Sequence, residues 1–325
     1  MWNLFIYGEK FTDTQEISKQ FAKKTGFAPV TDEDVLTWAD QRFGFGYSKL
    51  SNAFYKKKSL FENLTHTKQR TIAYLKSVLA ENLEKNDSVY IGLTGHLLPE
   101  DFPQIYRIFI TADTSYRINR AFTNSHRLPE RQAIKEIQRA DENAFRWCRR
   151  VYDHADWDTH TYHMVLPIHI LNKNDAVQMA LEGFRSFMQL PTPTAHQSLK
   201  DFQLTARVEL TLAEKGFPVK IRVKNQKVFV TIERHVLRLS KLSHKLTQEI
   251  MAVKGVQEVE IGVGRNFNQA DLCCHTTFET SLTTQMNQFE TNHSWLRNQA
   301  VSNLPAKVKD VNHRPLTAGL HLRAM

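Results

Sequence analysis

The stretch "NLFIYGEKFTDTQEISKQFAKKTGF", residues 3–27, decides how the chain begins. Leu4, Phe5, Ile6 and Tyr7 form a short apolar run that ends at Gly8. A helix follows, with Ile17 and Phe21 four residues apart, and Gly26 stops it. A strand, a loop and a helix in that order make a natural cradle for phosphate. A loop that wraps phosphates is rich in glycine and carries a lysine. Here Glu9-Lys10-Phe11-Thr12-Asp13-Thr14-Gln15-Glu16 occupies that place, and the one glycine, Gly8, lies at the strand end. Asp13 followed three residues later by Glu16 reads as a capping box, with Asp13 at the N-cap.

Working outward, strand and helix patterns alternate to about residue 190. Ser88–Gly92, Tyr106–Ile110 and Tyr162–Leu166 read as three further strands. Helical patterns cover Thr67 to Leu83 and Asn174 to Phe187, the latter capped by Asn172 or Asn174. Short apolar runs separated by helices predict an α/β unit with a parallel sheet covered on both faces. "FGFGYSK", residues 43–49, lies between helical patterns and marks a bend. "QLPTPTAHQ", residues 189–197, has two prolines and no periodicity and reads as a linker. The pattern then changes. A helix stepping through Leu199, Phe202, Ala206, Leu210 and Ala213 precedes two alternating strands joined at Asn225-Gln226. A helix through Leu239, Leu242, Leu246, Ile250 and Val253 and a strand from Val256 to Val263 complete a small α-β-β-α-β unit.

At 325 residues, 41% hydrophobic and 24% charged, the chain can bury a core in each of two domains. No basic region precedes the opening apolar run, and Pro167 and His169 break the longest later one, so neither a leader nor a membrane span is expected. Three cysteines, two adjacent, make no disulfide framework; a reducing cytoplasm is the expected location. The net charge of +9 is concentrated: Glu214 to Lys254 holds ten Lys/Arg against three Glu. This is a solvated basic face, or a surface for an acidic protein, or for anionic lipid or nucleic acid bound without specificity. His154, His160 and His163, like Cys273, Cys274 and His275, lack the two separated pairs that a zinc site needs. Trp147 and Trp157 read as core anchors.

The segments "QEISKQFAKKTGF", "NDSVYIGLTGHLLPEDFPQIYRIFITAD" and "LPERQAIKEIQRADENAFRWCRRVYDHADWDTHTYHMVLPIHIL" resemble the cytidylate-kinase-like proteins, a branch of the P-loop nucleoside monophosphate kinases. Residues 199–264, ending in Val253-Lys254-Gly255-Val256, resemble a BON domain, a module often described as binding phospholipid or another ligand. The resemblance implies a P-loop kinase-like domain over 1–188, a linker over 189–198, a BON-like domain over 199–264 and a tail over 265–325. It also implies a Gly-Ser-Gly-Gly-Arg type of loop where Phe11 to Gln15 stand, so every glycine and the cation are absent. The arginines expected at Leu93 and Ala144 are missing too, and His163 and Pro167 replace the Asp and Asn of the last strand.

Transfer of a phosphoryl group needs positioned cations and dipoles. The chain therefore reads as a pseudokinase that keeps vestigial phosphate and lid positions: Lys10, Thr12, Thr14, Gln15, Arg127, Arg131 and Arg139. No catalytic residue and no metal ligand is assigned, and the only cofactor expected is weakly bound ATP with Mg. The lid-region arginines, Arg117, Arg120, Arg127, Arg131, Arg139, Arg146, Arg149 and Arg150, are expected to pair with neighbours such as Glu130, Glu136 and Glu142, with a retained anion site as the alternative. The implied role is regulatory or scaffolding, through a protein partner or small ligand on the BON-like domain. An active CMP-type kinase with a rearranged phosphate site is the alternative. An anionic lipid or nucleic-acid binder acting through the basic domain is the second alternative.

Overall fold

A computed structural model describes residues 2–55, 67–85, 87–100, 102–123, 127–152, 161–190, 195–233, 235–264 and 267. Five strands, β1 (Asn3–Gly8), β2 (Ala28–Thr31), β3 (Ser88–Ile91), β4 (Ile105–Thr111) and β5 (Met164–Pro167), form a parallel sheet in the order β2-β3-β1-β4-β5. Alternation within β1 sorts its side chains onto two layers: Leu4 and Ile6 join one core, Phe5 and Tyr7 the other. The first core is closed by α1 (Thr14–Thr25) and α7 (Lys173–Met188), through Ile17, Phe21, Val177 and Phe184. The second is closed by α2 (Asp32–Phe43), α3 (Tyr47–Tyr55), α4 (Thr67–Asn82) and α6 (Glu130–Val151), with α5 (Thr114–Thr123) beside α6. Both faces are covered, as the apolar runs predicted.

Local signals behave as their chemistry dictates. Gly26 ends α1 in the left-handed region at φ 77° and donates its N–H to the Ala22 carbonyl. Gly44 ends α2 in the same way, which makes the 43–49 stretch the expected bend. Asn172 caps α7, accepting from the Asp175 N–H at 2.9 Å. A complete capping box occurs where none was predicted, at α2, between Thr31 and Asp34. The sheet also has a strand that the pattern missed. β2 is four residues, includes Pro29 and lies at the sheet edge, where a missing donor is tolerated.

The second unit comprises α8 (Ala195–Glu214), β6 (Lys220–Lys224), β7 (Lys227–Ile232), α9 (Leu239–Met251) and β8 (Glu258–Val263). Its sheet runs β6-β7-β8, antiparallel then parallel. Asn225 and Gln226 turn the β6–β7 hairpin with φ of 51° and 64°, both positive as a tight two-residue turn requires. Leu204, Val208 and Leu212 of α8 pack over Val223, Val228, Val230 and Ile232. The opposite side of α8 buries Phe202 and Ala206 in the core of the first unit, against α4. Helix α8 begins at Ala195, four residues before the first apolar position of its pattern. Trp147 is fully buried, as expected of an anchor; Trp157, His154, His160, Cys273, Cys274, His275 and the 265–325 tail (Phe267 apart) fall outside the described residues.

Candidate anion pocket at the carboxyl ends of the strands

In an open parallel sheet the strand order reverses beside β1, and the crevice at the carboxyl ends of the strands is where ligands sit. Here a cavity of about 460 Å³ opens at that place. Tyr7 and Gly8 end β1 on one side, Gly92 and Leu93 follow β3, and Arg139, Asn143 and Ala144 of α6 form the far wall. Lys10, Asp32 and Glu136 complete the rim.

The loop from β1 to α1 is folded onto itself. The Thr12 hydroxyl donates to the Glu9 carbonyl at 2.6 Å, lies 2.6 Å from the Thr14 hydroxyl, and the Thr12 N–H also turns inward to Glu9 at 3.3 Å. Gly8 is required here because the Thr14 side chain occupies the place where a Cβ would be. Phe11 takes a left-handed φ of 63°, a conformation that a glycine would adopt at no steric cost. The Thr12 N–H, which a glycine-rich loop would turn outward, is thus used inside the loop.

Asp13 does not cap α1. Its φ and ψ of −82° and 28° are not those of an N-cap, and its carboxylate makes no bond to the first turn. It turns away to three groups on other elements: the Arg120 guanidinium, the Lys173 ammonium at 3.4 Å and the Tyr116 hydroxyl at 3.1 Å. Two cations attract a carboxylate more strongly than a neutral amide does, which overrides the capping signal. Glu16, the other half of the predicted box, is exposed and accepts from Gln20 at 3.0 Å.

A second carboxylate closes the loop after β3. Asp32 accepts from the Leu93 N–H at 2.8 Å, and from the Thr94 N–H and hydroxyl at 2.7 Å each. Gly92, at φ 115°, admits it, since any Cβ there would collide with the Asp32 carboxylate. Burial raises the Asp32 carboxyl above the ordinary carboxylate value, against the lowering effect of the bonds from Thr94 and Leu93.

Deeper still, Arg117 is almost completely buried. It grips Asp141 with both terminal nitrogens at 2.7 and 2.9 Å, donates to the Lys10 carbonyl at 2.9 Å and lies 3.6 Å from Glu9. Burial works against its charge, but the bonds to Asp141 and the field of Glu9 hold its pKa above the usual arginine value. Glu9 in turn accepts from the Thr111 hydroxyl at 2.7 Å and the Ala112 N–H at 3.0 Å.

The predicted site residues therefore scatter. Lys10 and Arg139 line the cavity, but the Lys10 ammonium is held by Glu136 at 2.6 Å, which lowers the Glu136 pKa. Arg139 has no ion pair among the described residues. Thr12 and Thr14 are tied into the loop, Gln15 is exposed on α1, and Arg127 and Arg131 are exposed away from the cavity lining. Arg146 pairs with Glu142 as expected of a lid helix, whereas Arg117 and Arg120 pair with Asp141 and Asp13. Leu93 and Ala144, which stand where arginines were implied, both face the cavity, and the Trp147 indole fixes Leu93 by donating to its carbonyl at 2.7 Å. Asp32 and Asn143 escaped sequence reasoning. The Thr31-Asp34 box could have flagged the start of α2, and with it Asp32. Among the described residues no group of His, Cys, Asp or Glu could hold a metal ion, and no helix is long and apolar enough to cross a membrane.

Residues 7–169 match the Cytidylate kinase-like family. No curated protein matches the chain. Among solved structures, an uncharacterized protein from Eubacterium ventriosum ATCC 27560 is similar at 16% identity and a TM-score of 0.42, covering 57% of this chain and 98% of that one. Shikimate kinase from Bacteroides thetaiotaomicron is similar at 11% identity and a TM-score of 0.36, covering 58% and 99%. Shikimate kinase from Acinetobacter baumannii is similar at 10% identity and a TM-score of 0.33, covering 59% and 96%.

Proposed function

Because the chain belongs to the cytidylate kinase-like family yet meets its own anion positions with its own carboxylates, we propose that it binds rather than transfers. It is a regulatory or scaffold protein built on a nucleotide-kinase fold. The single observation that carries this reading is Asp13, whose carboxylate rests against Arg120, Lys173 and Tyr116 at the start of α1. A nucleotide phosphate in that place would meet a negative charge and find its cations taken. Lys10 with Glu136, Arg117 with Asp141, and Asp32 on the loop after β3 extend the same internal neutralisation. Spreading negative charge on a transferred phosphoryl group would then meet Arg139 alone among the lining cations without an ion pair in the described residues, where transfer needs several positioned charges. Assignment of residues 199–264 to a BON-like module is part of this proposal and rests on their α-β-β-α-β order. In this reading the module supplies the partner or ligand contact.

The direct test is equilibrium binding of ATP, ADP, CMP and AMP, with ADP release measured in the presence of CMP. Weak binding and no CMP-dependent ADP release are expected. Micromolar ATP binding, together with ADP release that Arg139→Ala abolishes, would establish the opposite reading of an active CMP-type kinase. That reading draws on Arg139, which faces the cavity without an ion pair among the described residues.

A further inference from the structure

A second cavity, of about 390 Å³, lies between the two units, far along α6 from the first. Its walls are α4, the carboxyl end of α6, the end of α8, and β6. Two properties of this groove are independent of each other and point to the same kind of partner.

The first is an open backbone edge. In the order β6-β7-β8, β6 is terminal, and among the described residues no strand pairs with its outer side. The two-residue turn at Asn225-Gln226 sets the ladder: the closing pair Lys224–Lys227 exchanges hydrogen bonds, and so do Arg222–Phe229 and Lys220–Thr231. The intervening residue Ile221 therefore directs its N–H and C=O away from β7. Ile221 borders the groove. An edge of this kind accepts one more strand.

The second is charge. Lys76, Arg149, Arg150 and Lys220 surround the groove; Lys76 holds Glu209, the one carboxylate among the lining residues, at 3.0 Å, and Lys220 lies 3.3 Å from Glu233 outside the lining. Arg149 has no carboxylate partner among the described residues. The floor between these cations is apolar, formed by Ile72, Leu212, Phe217 and Val219.

We propose that this groove binds an extended acidic peptide, which adds as a strand to the outer edge of β6 between the two units. Alternate side chains of such a strand would face opposite ways, one set toward Phe217 and Val219, with a carboxylate meeting Arg149. The partner is thus a flexible acidic segment of a protein. A lipid headgroup or a nucleic acid would use the charge without using the Ile221 backbone.

The test uses the full chain and a fluorescent peptide alternating valine with aspartate or glutamate, read by anisotropy. Binding is expected, and it should weaken steeply as salt rises from about 50 to 200 mM. Arg149→Glu should reduce affinity roughly tenfold or more, the loss that follows reversal of one interfacial charge. Ile221→Pro removes the outward N–H while leaving the β7 ladder bonds, and should reduce binding to a similar degree. Should that variant unfold, the same peptide N-methylated at alternate residues tests the backbone bonds from the other side. Absence of binding up to about 1 mM peptide, or binding unaffected by both Ile221→Pro and N-methylation, would overturn the proposal. So would displacement of the peptide by phosphatidylglycerol vesicles or a single-stranded oligonucleotide at lower concentration than unlabelled peptide, which would assign the groove to those ligands.

Discussion

Removing the Asp13 carboxylate is the sharpest perturbation of the charge cluster at the start of α1. Asp13→Ala deletes no cap bond, because the side chain makes none. What it deletes is the counter-charge to Arg120 and Lys173. Breaking a buried pair from one side costs about 3–5 kcal/mol. Here Asp13 is 8% exposed, but Arg120 and Lys173 are 25% and 43% exposed and can partly rehydrate. Arg120 recovers less than its exposure suggests, since its Nε is buried without a hydrogen-bond partner. Balancing these, the expected loss is about 2 kcal/mol. With a urea slope of about 2 kcal/mol per molar, the unfolding midpoint should fall by roughly 1 M. Asp13→Asn, which keeps the volume and removes the charge, should fall by a similar amount. Both variants should regain stability when ATP or inorganic phosphate is added, because the freed cations then have an anion to bind. Wild-type protein should regain little. Transfer to CMP should remain absent in every case, because Leu93 and Ala144 still face the cavity where arginines are needed. A variant as stable as wild type, or a wild-type midpoint that rises with ATP as much as the variant's, would refute the internal-anion argument.

Arg117→Lys should destabilise by about 3 kcal/mol or more in the same urea assay, since a point ammonium cannot reproduce the two-nitrogen grip on Asp141 inside the protein. Acidification should destabilise the fold from about pH 6.5 downward. Burial holds the His96 and His163 pKa values below the ordinary one, so the unfolded chain takes up protons in that window that the native protein refuses. The slope should approach about 1.4 kcal/mol per pH unit for the fully buried His96, and His96→Gln should flatten it; an unchanged slope would count against the assignment. The raised Asp32 carboxyl acts with the opposite sign: its contribution is present below the unfolded carboxylate pKa and lost as pH rises through its folded one, so it does not produce this acid loss. Cleavage by a protease between Gln189 and Leu199 should give two fragments that still co-elute on gel filtration, because Phe202 and Ala206 remain buried against the first unit; separate elution would show that this contact is weak.

The amino-acid sequence alone determined what depends on neighbours close along the chain. Apolar runs of four to six residues with their glycine and asparagine stops located β1, β3, β4, β5, α1, α7 and the second unit's hairpin, because strand alternation, helix period and cap chemistry act over one or two turns. The same short-range evidence showed that a glycine-rich phosphate loop was absent between Gly8 and Glu16. Tertiary structure decided everything whose partner is distant. Edge strand β2 is too short to carry a period of its own and forms because β3 is there to pair with it. Asp32 settles on Leu93 and Thr94 because α2 begins beside the end of β3. Asp13 had a local option, the cap with Glu16, and did not take it. Arg120 and Lys173, brought from α5 and α7 by the packing of both helices on one end of the sheet, offered full charges in a partly buried place. A charge pair there outweighs a hydrogen bond to a solvated helix end, and that comparison becomes possible only once the chain has folded.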